Sequence, residues 1–269
     1  MSEQLPEIEQ LGRQAADCQL CDLAAKRTQV VWGDGPATAR VVFIGEAPGR
    51  KEDEGGRPFI GAAGHLLDEL LAAAHITRSD VYITNIVKCR PPGNRDPLDD
   101  EIVACRSYLN RQLQLLHPRV IVTLGRFSTH LILQTTAGIS SLQGRVFERH
   151  GYKVLPLYHP AAVIYDLLKK EPFFAAAPLL DQLVNGEGEM ELREGSGVGI
   201  LNRGPGSASG FPPAAGDPLA SSPAQNSDTR SLAQAVGRAD PGAPPAEPEQ
   251  EISAPAEHFT QETLDIWNA

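Results

Sequence analysis

The sequence predicts an α/β fold of three layers, α/β/α, built around a central four-stranded parallel sheet. Apolar, β-branched runs of strand length fall at 40–45, 81–87, 120–125 and 153–158. Amphipathic helical patterns lie between them. Strands separated by helices imply right-handed crossovers, hence parallel neighbours and a sheet covered on both faces.

Taken in order, the first run (RVVFIG) leads into GEAPGRKEDEGGRPFIG at 45–61, where five glycines and two prolines crowd seven charges. Such a loop lets backbone N–H groups approach a ligand with no Cβ in the way. No Gly-Lys-Ser/Thr follows, which disfavours a nucleotide phosphate loop. A helix is predicted over 64–75, with Leu66, Leu67, Leu70 and Leu71 on one face, and the second strand follows it. The helix over 99–116 aligns Ile102, Tyr108, Leu109, Leu113 and Leu116, and a third helix spans 127–135 after the third strand. No internal repeat is visible.

Composition divides the chain. Of 269 residues, those at 1–184 carry 20 Lys+Arg and 21 Asp+Glu, a net of 20 − 21 = −1; those at 185–269 carry 4 and 13, a net of 4 − 13 = −9, which together make the overall −10. The acidity belongs to the tail, so it does not argue against nucleic acid as a partner of the first part. Residues 185–255 are rich in Gly, Pro, Ser and Ala and too poor in apolar groups to offset their ordering entropy, so a disordered acidic linker is expected there. Order-promoting residues return in 256–269, which reads as a short interaction motif. No apolar run approaches the roughly 18 residues of a membrane span. The start of the chain lacks a basic region followed by an apolar one, so a cytoplasmic protein is expected.

Parallel sheets bind ligands outside the carboxyl ends of their strands. Those ends carry Glu46, Asn85, Arg126 and His159, so a carboxylate, an amide, a guanidinium and an imidazole should meet at one edge. Four cysteines accompany them. Cys18 and Cys21 have the spacing that lets two thiolates grip one metal centre, while Cys89 and Cys105 stand far apart. The pattern suits a four-cysteine iron–sulfur cluster or a zinc site about equally. Either would be structural, because every ligand is accounted for.

GEAPG at 45–49, GRPFIGAAG at 56–64, YITNIVKCRPPGNRDP at 82–97 and HPA at 159–161, with the cysteine frame, resemble the iron–sulfur uracil-DNA glycosylases known as family 4, of bacterial type. The resemblance covers about residues 11–184. It implies a uracil-DNA glycosylase-like catalytic domain at 1–184 and a [4Fe–4S] cluster on Cys18, Cys21, Cys89 and Cys105. It also implies removal of uracil from single- or double-stranded DNA, leaving an abasic site for base excision repair. Covalently trapping relatives carry a basic, histidine-containing insertion where this chain reads CRPPGNRDPLDDE, so ordinary turnover is expected.

On this reading Phe59 stacks on the extruded base. Asn85 reads its edge with one donor and one acceptor, and His159 stabilises the negative charge that develops on the leaving ring. Glu46 orients or deprotonates water, Ala47 lies at the base, and Glu52 occupies the position that crowds a thymine methyl. Lys88, Arg90 and Arg95 are expected at DNA phosphates, with Arg126 and Arg145 near other strand ends. Val163 or Ile164 would wedge into the gap left by the base, although Asp166 stands where positive charge is expected. In the tail, Gln261, Leu264, Ile266 and Trp267 resemble the peptide that bacterial sliding clamps bind. A monomer associated with the nucleoid is expected. Two other classes stay open: a catalytically silent iron–sulfur DNA-binding module, and a zinc-stabilised nucleotide hydrolase.

Overall fold

The structure, a computed structural model, describes residues 4–186. The expected linker beyond residue 186 and the motif at 256–269 lie outside the described residues. In chain order the elements are α1 (Gln4–Ala16), β1 (Val41–Gly45), α2 (Arg50–Gly55), α3 (Ala62–Ala73), β2 (Tyr82–Asn85), α4 (Asp99–Leu116), β3 (Val120–Leu124), α5 (Arg126–Leu133), α6 (Ile139–Leu142), β4 (Phe147–Arg149), β5 (Tyr152–Leu157), α7 (Pro160–Tyr165), α8 (Lys170–Phe174) and α9 (Ala177–Asn185).

The sheet runs β2-β1-β3-β5-β4. Its first four strands are mutually parallel, as the sequence predicts, and β4 adds an antiparallel edge against β5. The sheet therefore has five strands rather than four. The extra strand belongs to a tight hairpin turned by His150 and Gly151, both at positive φ (51° and 82°), the backbone that two-residue hairpin loops favour.

Successive strand residues point to opposite faces, and in β1 and β3 each residue is buried. Val42, Ile44, Ile121 and Val154 face one core with Ile8 and Leu11 of α1, Tyr108 and Leu113 of α4, and Leu131 of α5. Val41, Phe43, Val122 and Leu155 face the other, with Leu67 and Leu70 of α3, Val163 of α7, Phe173 of α8 and Leu180 of α9. Each fully buried leucine side chain here contributes about 1.5–3 kcal/mol, and the two cores make the three layers.

Two features of this scaffold shape the loop that opens α3. Phe59 adopts a left-handed backbone (φ 52°) while buried, a conformation that costs a non-glycine residue free energy. Gly64 of α3 lets that loop lie against the helix, since a Cβ there would stand 1.8 Å from the Phe59 carbonyl oxygen. Gly64→Ala is the test. In an open helix the change would gain about 1 kcal/mol from propensity. Here we expect a loss of roughly 1–3 kcal/mol from overpacking, read as a lowered denaturant midpoint; a gain would refute the close approach.

Candidate active site

The parallel register sets Gly45 opposite Asn85 at the ends of β1 and β2. Pairing continues past the strands, with Ile86 N–H donating to the Gly45 carbonyl (3.0 Å) and Val87 N–H to the Glu46 carbonyl (3.1 Å). A Cβ on Gly45 would fall 2.4 Å from Asn85 Oδ1 and 2.6 Å from Phe59 Cζ. The amide and the aromatic ring thus converge on a bare Cα. Asn85 is 1% exposed, and its Oδ1 is buried with no hydrogen-bond partner. Leaving such an acceptor unpaired costs about 1–3 kcal/mol, so it stands ready for a donor from outside the chain.

Phe59 is held at several points. Glu52 Oε1, from α2, accepts the N–H groups of Ile60 (2.9 Å) and Gly61 (2.8 Å), where α3 begins. Arg78 donates to the Pro58 carbonyl (2.7 Å) and to Asp68 (2.9 Å). In the same loop the buried Asp53 accepts from Thr28 N–H and Oγ1–H (2.9 and 2.7 Å). The charge run RKEDE is therefore partly an internal brace, and Glu52 works in it as an acceptor for the loop backbone.

The imidazole of His159 lies beside Phe59, ring centroids 5.7 Å apart and tilted by 34°. Gly125, at φ 93°, leaves room for it at the end of β3. Burial pushes the His159 pKa down to about 4, against the opposing pull of Glu52. The ring is therefore neutral near pH 7. Its Nδ1 accepts from Ala161 N–H (3.2 Å) at the start of α7, so the proton of the neutral ring sits on Nε2, which is the donor.

Glu46 responds to burial in the opposite sense. Desolvation, then the nearby Asp96 carboxylate, raise its carboxyl to about 7, and Arg126 only partly opposes them. Arg126 is itself paired with Asp96. Nothing in the linear order joins Asp96 to the site; it lies in the GNRDP turn, close to Glu46 only in space. Ala47 is half-buried against the core on the α4 side.

Among the residues expected to meet DNA the outcomes differ. Lys88 is 1% exposed, and its Nζ donates to Thr84 Oγ1 (2.7 Å) and to the Asn85 carbonyl (2.6 Å). It points inward and contacts no phosphate from there; burial lowers its pKa to about 7, against the pull of Cys105 and Cys89. Arg95 makes a two-pronged pair with the buried Glu101 (2.9 and 2.6 Å) and braces the start of α4. Arg90 reaches Asn94 (2.7 Å) at the exposed edge. Val163 is buried in the α3-side core and is not a wedge, whereas Ile164, Tyr165, Leu167 and Leu168 are exposed, the last three by 76–90%. The wedge expected at Val163 or Ile164 reaches the first residue of this apolar tip and leaves out the more exposed Tyr165, Leu167 and Leu168. Asp166 caps the turn beneath it by accepting from Leu168 N–H (3.1 Å) and pairs with Lys169 (2.8 Å), so its charge is locally compensated.

The four cysteines line a single cavity, closed by Leu20, Arg27 and Tyr108. Cys18 and Cys21 follow α1, Cys89 follows β2, and Cys105 lies in α4. Arg27 Nη1 donates to Cys89 Sγ (3.4 Å) and Lys88 N–H to Cys105 Sγ (3.3 Å), the kind of bond that cluster thiolates accept. Among the described residues no three His, Cys, Asp or Glu side chains gather as the ligands of one metal ion. Four thiol side chains around one cavity are a donor set that either an iron–sulfur cluster or a zinc ion takes.

The sequence profile of the uracil DNA glycosylase superfamily matches residues 32–181. A type-4 uracil-DNA glycosylase of Archaeoglobus fulgidus is 47% identical over 175 residues, 62% of this chain and 87% of the relative. One from Saccharolobus solfataricus is 39% identical over 71% of this chain and 98% of its own length. A third, from Thermotoga maritima, is 42% identical over 60% and 84%.

The neutral histidine has a measurable consequence. Because its pKa falls from 6.5 toward 4 on folding, His159 contributes stability that is fully present above pH 6.5 and lost as pH falls through about 4. Wild type should lose unfolding free energy relative to His159→Gln over that window. Parallel pH curves would show an imidazole that protonates freely in the fold.

Proposed function

The chain belongs to the uracil DNA glycosylase superfamily and hydrolyses N-glycosidic bonds as a uracil-DNA glycosylase, and we propose the following roles for its residues. The single observation that carries them is the unpartnered Asn85 Oδ1, buried where Gly45 and Phe59 meet. Uracil presents an imide N–H flanked by carbonyl oxygens. Asn85 Oδ1 accepts from that N–H while its amide N–H donates to the adjacent carbonyl. Cytosine presents a bare ring nitrogen and an amino group instead, so oxygen would face lone pair and two donors would meet. Unpaired buried polar groups make such rejection steep. The flipped base lies on Phe59, and Ala47 and Glu52 border it.

As the bond from C1′ to the uracil ring breaks, the electron pair leaves with the base. Neutral His159, protonated at Nε2, donates a hydrogen bond to the developing oxyanion. Water adds at C1′ and gives up its proton to the Glu46 carboxylate, which burial makes a base suited to neutral pH. The products are uracil and an abasic site. No Schiff base forms at Lys88, because its nitrogen is enclosed by Thr84, Asn85 and Trp32.

DNA is held by Arg90 and by the tip at Ile164, Tyr165, Leu167 and Leu168, which fills the space left by the extruded base. The cavity of Cys18, Cys21, Cys89 and Cys105 holds a [4Fe–4S] cluster, which supplies structural cross-linking between α1, the end of β2 and α4. The chain works as a monomer in the cytoplasm, associated with the nucleoid, where uracil in DNA arises. The motif of Gln261, Leu264, Ile266 and Trp267 tethers it to a sliding clamp.

Cleavage of a uracil-containing oligonucleotide by the full chain is the direct test, with the silent DNA-binding module predicting binding and no base release. Asn85→Ala should lower single-turnover cleavage by at least about a hundredfold, the order lost with one such polar contact. Activity should fall as pH drops through about 7, when Glu46 becomes protonated, and Glu46→Gln should be slow with a flat acidic limb. Parental rates in both variants would remove the assigned roles. Leu167→Ala with Leu168→Ala should weaken binding to duplex carrying an abasic site, and equal affinity would exclude the wedge. Deleting residues 261–267 should abolish clamp binding and spare cleavage; retained binding would end the clamp assignment.

A further inference from the structure

Lys88 is the largest charged side chain in the fully buried interior of the described residues, and no step of the reaction uses it. Its surroundings give it a different task. Nζ donates to Thr84 Oγ1 and the Asn85 carbonyl, and it lies 5.7 Å from the centre of the Trp32 ring, so the three N–H bonds of an ammonium each have a partner direction. Thr84 Oγ1 in turn donates to the Trp32 carbonyl (2.9 Å), which also accepts from Gln112 Nε2 (3.0 Å); Gln112 Nε2 lies within hydrogen-bond reach of Tyr82 Oη (3.2 Å) as well. This network fixes the backbone under Asn85 from below. On its other side Lys88 borders the cysteines: its own N–H donates to Cys105 Sγ, and Cys89 is the next residue.

A buried ammonium needs compensating negative charge. Four thiolates carrying a cluster supply it, and among the described residues no carboxylate has been drawn in to pair with Lys88. We propose that Lys88 is a positioning residue that joins the two sites: as counter-charge to the cysteine-bound cluster it is held in the interior, and from there it fixes the Asn85 main chain, and so the amide that reads the base. The assignment rests on the cluster and on the Asn85 role proposed above.

The test uses the full chain and its Lys88→Met variant, which keeps the length of the side chain without its charge. Three quantities are read on each: the cluster's reduction potential, affinity for DNA with a ready-made abasic site, and single-turnover cleavage of uracil-DNA. Loss of a nearby positive charge disfavours adding an electron, so the potential should become more negative. Cleavage should fall about tenfold, the worth of one buried hydrogen bond. Abasic DNA, which presents no base to Asn85, should bind unchanged, whereas general damage to the fold would weaken it too. A Lys88→Met chain that retains its iron, its potential and its cleavage rate overturns the assignment.

If Lys88→Met does not fold, Thr84→Val decides. It removes one acceptor and leaves the charge, so slower cleavage at an unchanged potential is expected, and wild-type cleavage overturns the assignment. The supporting reading fails in different ways: a wild-type chain without iron refutes the cluster, and an Asn85→Ala chain that cleaves at the parental rate refutes the base-reading role. Either result would take the Lys88 assignment down with it.

Discussion

The site depends on a methyl group that is missing. Gly45 ends β1 in register with Asn85 at the end of β2, and any side chain at Gly45 would occupy the space into which both the amide oxygen and the Phe59 ring project. The register enforces the meeting. A slip of one residue between β1 and β2 would turn Asn85 to the opposite face, and the hydrogen bonds from Ile86 and Val87 to Gly45 and Glu46 extend the pairing past the strands to prevent it. The amide to which we assign base recognition is thus placed by sheet geometry. The aromatic wall is placed by a loop, and that loop needs Glu52, Arg78 and the close approach at Gly64 to hold Phe59 in a backbone conformation it would not choose alone.

The same strand end serves a second purpose. Within six residues, Thr84 to Cys89, the chain supplies a buried hydroxyl, the amide, two apolar core residues, a buried amine and a cysteine of the four-cysteine cavity. So short a segment cannot move one of these groups without moving the others. The proposed base recognition and the cysteine geometry are therefore coupled by covalent proximity, before any particular hydrogen bond is considered. A protein that binds a substrate by flipping it into a preformed pocket gains from such stiffness, because little ordering entropy remains to be lost on binding.

How much of this was legible in the sequence follows the physics of each element. The four parallel strands were readable because both faces of each are buried, leaving continuous β-branched runs. The helix over 99–116 was readable because ten of its residues are buried in a helical rhythm. The hairpin strand at Phe147–Arg149 was not: three residues carry no periodicity, and its turn relies on His150 taking a left-handed conformation that composition does not advertise. Gly45, Glu46, Asn85 and His159 could be gathered from the rule that parallel strand ends share an edge, whereas Phe59, in the loop before α3, came from the family resemblance. Lys88 misled for the reason that makes it informative: followed by Cys89 and Arg90 it reads as a surface cation, and only the path of the chain after β2 turns it inward. Arg95 misled likewise, since its partner Glu101 is a carboxylate buried by tertiary packing. Asp96 joined the neighbourhood of Glu46 without any signal in the linear order.

Burial acts on the two titrating groups of the site in opposite directions and with one result. It raises Glu46 to about 7 and lowers His159 to about 4, so each is shifted toward its uncharged form. A neutral base therefore enters a pocket with no full positive charge to strip of water, and binding the ground state costs little desolvation. On the proposed mechanism the charge of the leaving ring appears only as the glycosidic bond breaks, and a fixed Nε2–H dipole beside the Phe59 face meets it in a medium of low effective dielectric. A protonated imidazole would attract that charge more strongly, but keeping it ionised in the empty site would require a counter-ion, and the Glu52 carboxylate that could serve is already committed to the Ile60 and Gly61 amides. Fixing a neutral donor by one bond from Ala161 avoids that conflict, and it lets the stabilisation grow with the charge that the reaction creates.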